Sequence, residues 1–296
     1  MINKLEMLIA LSKEHHFGRA AESLGITQPT LSTGIRQLED HLGVKLVQRG
    51  SRFGGFTPEG QRALVMARRI VSDARRLRDE MRFSHEGLSG QIRLAVIPTA
   101  LTWASHLASR FNALHPNVGF SILSRNSQEI LSRIEDLEAD AGITYLDNEP
   151  LGRVASTPLY RETYTLICSE THPLAARTSI SWSEIAGLKL CLLTPDMQNR
   201  RIINRNFMEA GLAPPSMIES NSTVVLVSNV VNGDWVTILP DDIAGFLTAG
   251  KPVRVIPLRE GVSARMVGLV AQYQEPHTPV LQELFDVAHQ IARTGE

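Results

Sequence analysis

Two parts of the sequence carry side chains whose chemistry calls for a partner. The first is the run Gln28-Pro29-Thr30-Leu31-Ser32-Thr33-Gly34-Ile35-Arg36-Gln37. Leu31, Ile35, Leu38 and Leu42 recur at spacings of 4, 3 and 4 and claim one helical face for a core. Gln28, Pro29, Thr30, Ser32, Thr33 and Arg36 are left at the start and along the free side of that helix. Polar groups in that position reach base edges in the major groove of DNA. Arg49 and Arg52, a little further on, suit phosphates, which are contacted for affinity and register rather than for sequence.

The second part is discontinuous. Thr99 and Thr102 follow an apolar run that ends at Ile97, and Ser124-Arg125-Asn126-Ser127 and Glu219-Ser220-Asn221-Ser222-Thr223 follow two others. Strand ends that lead into helix starts present hydroxyls and backbone N–H groups, which bind anions. Thr99, Thr102, Ser127, Asn221, Ser222 and Thr223 are therefore candidates to line a site for a small anionic molecule. Arg125 and Arg200 would add positive charge for a carboxylate. Each hydroxyl is equally well read as a plain helix cap.

Other chemistry is missing. The sequence has no HExxH, no GxSxG, no Walker lysine loop and no Gly-rich dinucleotide fingerprint. Its 9 histidines, among them His15-His16 and His172, fall at no metal-ligand spacing. No catalytic residue, metal or cofactor is expected. His15-His16 reads as a surface or phosphate-contacting pair. Cys168 and Cys191 form no CxxC pair and read as buried, reduced thiols.

Short helices must position the first set of groups. Leu5, Leu8, Ile9 and Leu11 give an apolar face to a first helix, and Arg19–Leu24 forms a second with Ala20 and Ala21 for close approach. Gly25 permits the left-handed turn that ends it, and Thr27 caps the third, where Pro29 is tolerated in the first turn. This is a helix-turn-helix. Val44–Arg49 and the segment through Phe56 read as two strands of a hairpin wing. From Pro58 a helical pattern runs to 86, with Ala63, Ala67, Ile70, Ala74, Leu77 and Met81 at alternating spacings of 4 and 3. That repeat is a coiled-coil seam, on a helix roughly 40 Å long at about 1.5 Å per residue. It predicts a dimer that presents paired recognition helices.

Beyond Gln91 the texture changes. Strands are expected at Ile92–Ile97, Val118–Ser124, Ala141–Tyr145, Leu190–Leu193, Met217–Glu219 and Val236–Leu239. Helices are expected at Leu101–Leu114, Gln128–Leu137, Arg200–Ala210, Thr223–Asn232 and Val280–Ala292. This alternation predicts an α/β body with a mostly parallel sheet. The expected divisions are 1–58, 59–88 and 89–296, the last made of two halves, about 91–161 with 268–296 and about 162–267. Hinges fall near Pro158–Cys168 and Val262–Tyr273.

The charge follows the same division. The 296 residues carry a net charge of −1, yet residues 1–88 hold 14 Lys+Arg against 10 Asp+Glu, a net of +4, and the rest a net of −5. A basic head on an acidic body suggests different partners for each. No apolar stretch approaches the roughly 18 residues of a membrane span. The N-terminal residues lack the apolar region of a signal peptide, so a cytoplasmic location is expected.

Together these residues resemble a LysR-type transcriptional regulator over the full length of the chain. The blocks that carry the resemblance are Phe17-Gly18-Arg19-Ala20-Ala21, Gln28-Pro29-Thr30-Leu31-Ser32, Ile35-Arg36-Gln37-Leu38-Glu39, Leu42-Gly43-Val44-Lys45-Leu46 and Thr57-Pro58-Glu59-Gly60. The resemblance implies an all-α winged helix-turn-helix, a dimerising linker helix, and an α/β effector domain of two Rossmann-like subdomains similar to periplasmic solute-binding proteins. It implies homotetramers on imperfect inverted repeats of double-stranded DNA, a small-molecule effector between the subdomains, and RNA polymerase as a further partner. A subgroup encoded beside formate dehydrogenase operons is also suggested, although no residue demonstrates it. Two departures stand out: Thr33-Gly34 replaces a larger, often basic pair in the recognition helix, and Gly54-Gly55 replaces basic or apolar residues in the wing. The alternative for residues 91–296 is a solute-binding receptor or a cleft enzyme, and the receptor would need an export signal.

Overall fold

The computed structural model describes residues 1–48, 53–147, 151–185, 187–213, 216–259, 264–274 and 276–294, with backbone alone at 75, 76, 79, 80 and 82–86. The chain divides into two compact units, Met1–Gly87 and Leu88–Glu296.

In the first unit, α1 (Ile2–Glu14), α2 (Phe17–Ser23) and α3 (Gln28–Leu42) enclose a core that includes Leu8, Leu11, Ala20, Ala21, Leu31, Ile35 and Leu38. Burying each large side chain of this kind contributes about 1.5–3 kcal/mol. Leu42 was expected in the core but is 45% exposed, because the last turn of α3 runs past the other helices before Gly43 (φ 70°) ends it. Helix α2 begins two residues ahead of the expected Arg19. The cause is His16, whose Nδ1 accepts hydrogen bonds from the N–H groups of Gly18 (3.1 Å) and Arg19 (3.3 Å). His16, exposed as the sequence suggested, therefore also caps a helix, a role the sequence reading did not give it. Gly25 (φ 64°) ends α2, and Thr27 Oγ1 accepts from the Thr30 N–H at the start of α3.

The described part of the wing has one antiparallel bridge, Val47 to Phe56, flanked by bonds from Gln48 N–H to Gly55 O (3.0 Å) and from Thr57 N–H to Leu46 O (2.9 Å). The N–H groups of Leu46 and Val47 are taken instead by the buried carboxylate of Glu39, at 2.9 and 3.3 Å, with Lys45 Nζ at 3.2 Å. Helix α4 (Pro58–Glu86) is capped by Thr57, whose Oγ1 accepts from Gly60 N–H (2.9 Å) and donates to Lys45 O (2.6 Å). A Cβ at Gly60 would strike the carbonyl oxygen of Leu46, so the helix can start here only with glycine. Arg49 and Arg52 lie outside the described residues.

The second unit runs β1 (Gly90–Val96), α5 (Leu101–Leu114), β2 (Val118–Ser124), α6 (Ser127–Glu135), β3 (Ala141–Tyr145), β4 (Val154–Glu162), β5 (Tyr164–Ser169), β6 (Ile180–Ser181) and β7 (Leu190–Leu193). It continues with α7 (Gln198–Glu209), β8 (Ser216–Ser220), α8 (Thr223–Asn232), β9 (Thr237–Pro240), α9 (Asp241–Thr248), β10 (Val253–Arg259), β11 (Arg265–Gln272) and α10 (Pro279–Thr294). A five-stranded sheet in the order β2-β1-β3-β11-β4 makes the first subdomain. Its core joins sheet residues such as Leu94, Ile143 and Leu269 to Phe111, Ile130 and Leu284 of the covering helices. The second subdomain holds the sheet β6-β10-β5-β9 and the parallel pair β7-β8.

The mostly parallel sheet of the sequence reading holds only for part of this. β1 is parallel to β2 and β3, but β11 runs antiparallel to both β3 and β4, and β5 antiparallel to β10 and β9. The reason is the double crossing between subdomains: a strand that returns to a sheet already laid down enters it from the other end. The crossings lie between β4 and β5, at Thr163, and between β10 and β11.

Candidate functional sites: a DNA-reading helix and an interdomain cleft

Helix α3 leaves Gln28, Pro29, Thr30, Thr33 and Arg36 exposed and Ser32 half-buried. The Thr30 hydroxyl lies 2.9 Å from that of Thr27, so the first turn is fixed before any partner arrives. Gly34 is different. It is buried against α1, where a Cβ would collide with the Met7 sulfur. The departure at Gly34 is thus a packing feature between α1 and α3, and Thr33 and Arg36 are the exposed side chains on that turn.

On α4, the expected seam divides. Ala63 and Ala67 pack into the core of the first unit with Leu64 and Val71, Ala74 is half-buried, and Ile70, Leu77 and Met81 are exposed.

In the second unit a cleft of about 560 Å³ opens between the subdomains. Asn221, Ser222 and Thr223 line it, as the sequence suggested, at the start of α8. Ser222 is the N-cap but makes no side-chain cap bond, which leaves the first N–H groups of α8 facing the cleft wall. Arg125 also lines it, with its NH1 on Ser124 O (2.6 Å) and its Nε 3.9 Å from Glu129.

Thr99, Thr102 and Ser127 do not line the cleft. Thr99 sits in the 3-10 turn Pro98–Ala100, which turns its side chain inward until only 2% is exposed, beside Glu162 and Tyr145. Ser127, the first residue of α6, is buried, and Thr102 is half-buried on α5. Arg200 is likewise no ligand for a carboxylate. It is buried and donates to Leu193 O (2.8 Å), Glu219 Oε1 (2.9 Å) and Asn204 Oδ1 (2.9 Å).

Asn126, Glu129, Arg133 and Asp196 also line the cleft and were not among the sequence-predicted ligand residues. Asn126 caps α6 with its Oδ1 on Glu129 N–H (2.9 Å) and reaches across the cleft with its Nδ2 to Asp196 Oδ2 (3.1 Å). Asp196 follows the end of β7, in the position relative to α7 that Arg125 holds relative to α6. That repeat of a strand end before a helix start was the available signal. The Thr194 hydroxyl, the Asn126 amide and the charge of Arg201 hold the Asp196 carboxyl below its usual range.

At the first crossing, the carboxyl of Glu162 is buried and bonded by the hydroxyls of Tyr145 (2.6 Å) and Tyr164 (3.4 Å). Burial pushes it up to about 7, against the opposing effect of those hydroxyls and that of Thr99, with Asp242 adding to the rise. Both cysteines are buried, and burial pushes each thiol up to about 11. Among the described residues no His, Cys, Asp and Glu gather in a group that could hold a metal ion, and no helix is long and apolar enough to cross a membrane.

An exposed recognition helix in one unit and an open cleft between two α/β halves in the other define a DNA-binding regulator with a ligand-binding domain. Residues 2–61 match the family model for the bacterial regulatory helix-turn-helix protein of the lysR family, and residues 85–293 match the LysR substrate binding domain. The chain belongs to the LysR family of transcriptional regulators. It is 30% identical over 240 residues to the DNA-binding transcriptional dual regulator OxyR of Escherichia coli K12, covering 81% of this chain and 78% of that protein. A full-length OxyR variant from Pseudomonas aeruginosa shares the fold, with a TM-score of 0.72 at 24% identity over 97% of each chain. So does full-length CbnR in complex with its target DNA, with a TM-score of 0.69 at 17% identity over 98% of this chain and 99% of that one. The regulator reading stands and the receptor and enzyme alternatives do not.

Proposed function

We propose that this regulator reads an imperfect inverted repeat with α3 of paired heads and is switched by a small molecule bearing an anionic group in the cleft of its second unit. The observation that carries the reading is the start of α8, where Asn221, Ser222 and Thr223 line the cleft and no side chain caps the helix. A carboxylate or oxyanion complements such a helix start. Ligand binding would favour one arrangement of the two halves about the crossings at Thr163 and after β10.

The remaining parts of the proposal follow from the family. Gln28, Pro29, Thr30, Ser32, Thr33 and Arg36 read bases, and Arg49 and Arg52 hold phosphates. Residues 59–88 pair two chains through Ile70, Ala74, Leu77 and Met81, and two pairs make a homotetramer. The protein works in the cytoplasm and contacts RNA polymerase, and a place in a subgroup encoded beside formate dehydrogenase operons is part of the proposal. The net of +4 on residues 1–88 is modest, so several heads must act together for tight binding.

Relatives described as hydrogen peroxide-inducible genes activators suggest thiol sensing as a second reading. It is disfavoured here: both thiols are buried and pushed up to about 11, where peroxide finds little thiolate. A gel shift with inverted-repeat DNA from upstream of the gene, run across a salt series, tests the DNA half. Absence of a specific shift at moderate salt overturns it. Thermal unfolding with small carboxylates and oxyanions, repeated with Arg125→Ala, tests the cleft.

A further inference from the structure

We propose that the molecule sensed in this cleft is a zwitterion of the amino-acid class, with its carboxylate at the start of α8 and its ammonium on Asp196. This rests on the cleft reading above and narrows it. Arg125, Arg133, Glu129 and Asp196 all line the cleft, so its side chains balance at zero rather than presenting the positive surface a bare anion would select.

Both cations are already engaged. Arg133 NH1 stands 3.2 Å from Glu138, and Arg125 Nε 3.9 Å from Glu129. Asp196 accepts from the neutral amide of Asn126 at 3.1 Å, and the Thr194 hydroxyl and the charge of Arg201 also favour its ionised form. It is exposed, so its carboxylate is available to a ligand. A plain carboxylate bound at α8 would therefore share the cleft with an ionised Asp196 and be repelled by it. A ligand that brings its own ammonium converts that repulsion into a charge-assisted hydrogen bond.

Asn126 gives the exchange a structural consequence. Its Oδ1 is fixed by the α6 cap while its Nδ2 bridges to Asp196 in the other subdomain. An arriving ammonium takes over Asp196 and replaces that direct bridge with one through the ligand. The two halves are then tied only when both charged ends are present, which excludes simple acids and simple amines from switching the protein.

The experiment uses the full-length protein and matched triplets: an L-amino acid, the acid lacking its amine, and the amide lacking its carboxylate. L-leucine, 4-methylpentanoate and L-leucinamide make one triplet, and the same set is built on L-phenylalanine and L-lysine. Thermal unfolding and calorimetric titration report binding. The expected result is binding by the amino acid of at least one triplet and by neither truncated partner. Asp196→Asn is expected to weaken that amino acid roughly tenfold to a hundredfold, as loss of a charged hydrogen bond does, while improving the acid that lacks the amine. Equal binding of the acid and amino acid to the unmodified protein overturns the zwitterion and leaves the anion site standing. If all three triplets leave both the unmodified protein and Asp196→Asn unmoved, both readings are overturned.

Discussion

The hydroxyl of Tyr145 donates to Glu162 across 2.6 Å, from the last residue of β3 to the last residue of β4. Glu162 is the final residue of the first sheet before the chain crosses to the second subdomain, so this bond sits at the root of the hinge. Its carboxyl is held protonated up to about pH 7, against an ordinary value of 4.5. Folded protein therefore binds a proton that unfolded chain has released between those values. The associated stability is present in full below about pH 4.5 and is lost as the pH rises through about 7. The span corresponds to about 3 kcal/mol. Glu162→Gln is expected to flatten this part of the pH dependence of the second unit's thermal midpoint. Tyr145→Phe removes a donor that favours the ionised form, and is expected to move the window to higher pH.

Gly34→Ala brings a methyl group onto the Met7 sulfur, but that thioether is the flexible end of a half-buried side chain and alanine favours the helix by about 1 kcal/mol, so the net change in the first unit is expected to stay within about 1 kcal/mol. Met7→Ala opens the same space, so Gly34→Ala should be more favourable in that background than in the unmodified protein. A double-mutant cycle on urea midpoints measures the coupling, and strictly additive changes would show that the two residues act independently.

Arg36→Ala removes an exposed guanidinium from α3, and is expected to cost about 1–3 kcal/mol of discrimination against mismatched operators. Arg52→Ala should weaken all sequences alike and shallow the salt dependence by about one phosphate contact. Competition gel shifts with matched and mismatched DNA separate the two effects. Equal loss of discrimination in both variants would contradict the division of roles.

Glu39→Ala leaves the buried N–H groups of Leu46 and Val47 without their acceptor. A loss of about 1–3 kcal/mol per stranded group is expected, with the wing the first region to open. Amide exchange should show Leu46 and Val47 losing protection ahead of the α1 to α3 core.

The head was largely legible because its code is local. The spacing of Leu31, Ile35 and Leu38, the Thr27 cap and Gly25 each act within one or two turns of the chain. His16 escaped because a ring nitrogen does there what Ser or Asp usually does. The cleft was half legible: Asn221, Ser222 and Thr223 follow a strand directly, whereas the 3-10 turn at Pro98 swings Thr99 away from the opening and into the Glu162 cluster. Arg200 could not be told from a ligand-binding arginine by sequence, since its acceptors Leu193 O and Glu219 come from β7 and β8. The antiparallel strands β4, β5, β10 and β11 were hidden for the same reason, since their partners are set by the double crossing rather than by neighbours in the chain.

That double crossing also orders events in time. The first sheet is complete only when β11 is inserted between β3 and β4, and α10 then covers it. Residues 1–87 need nothing later in the chain for their own core. At a synthesis rate of about 5–20 residues per second, the two stages are separated by roughly 10 to 40 s. During that interval a nascent chain carries a finished DNA-reading head and an unfinished sensor. Until β11 and α10 are in place the first subdomain that forms one wall of the cleft is incomplete, so the finished head is there before the cleft that would control it.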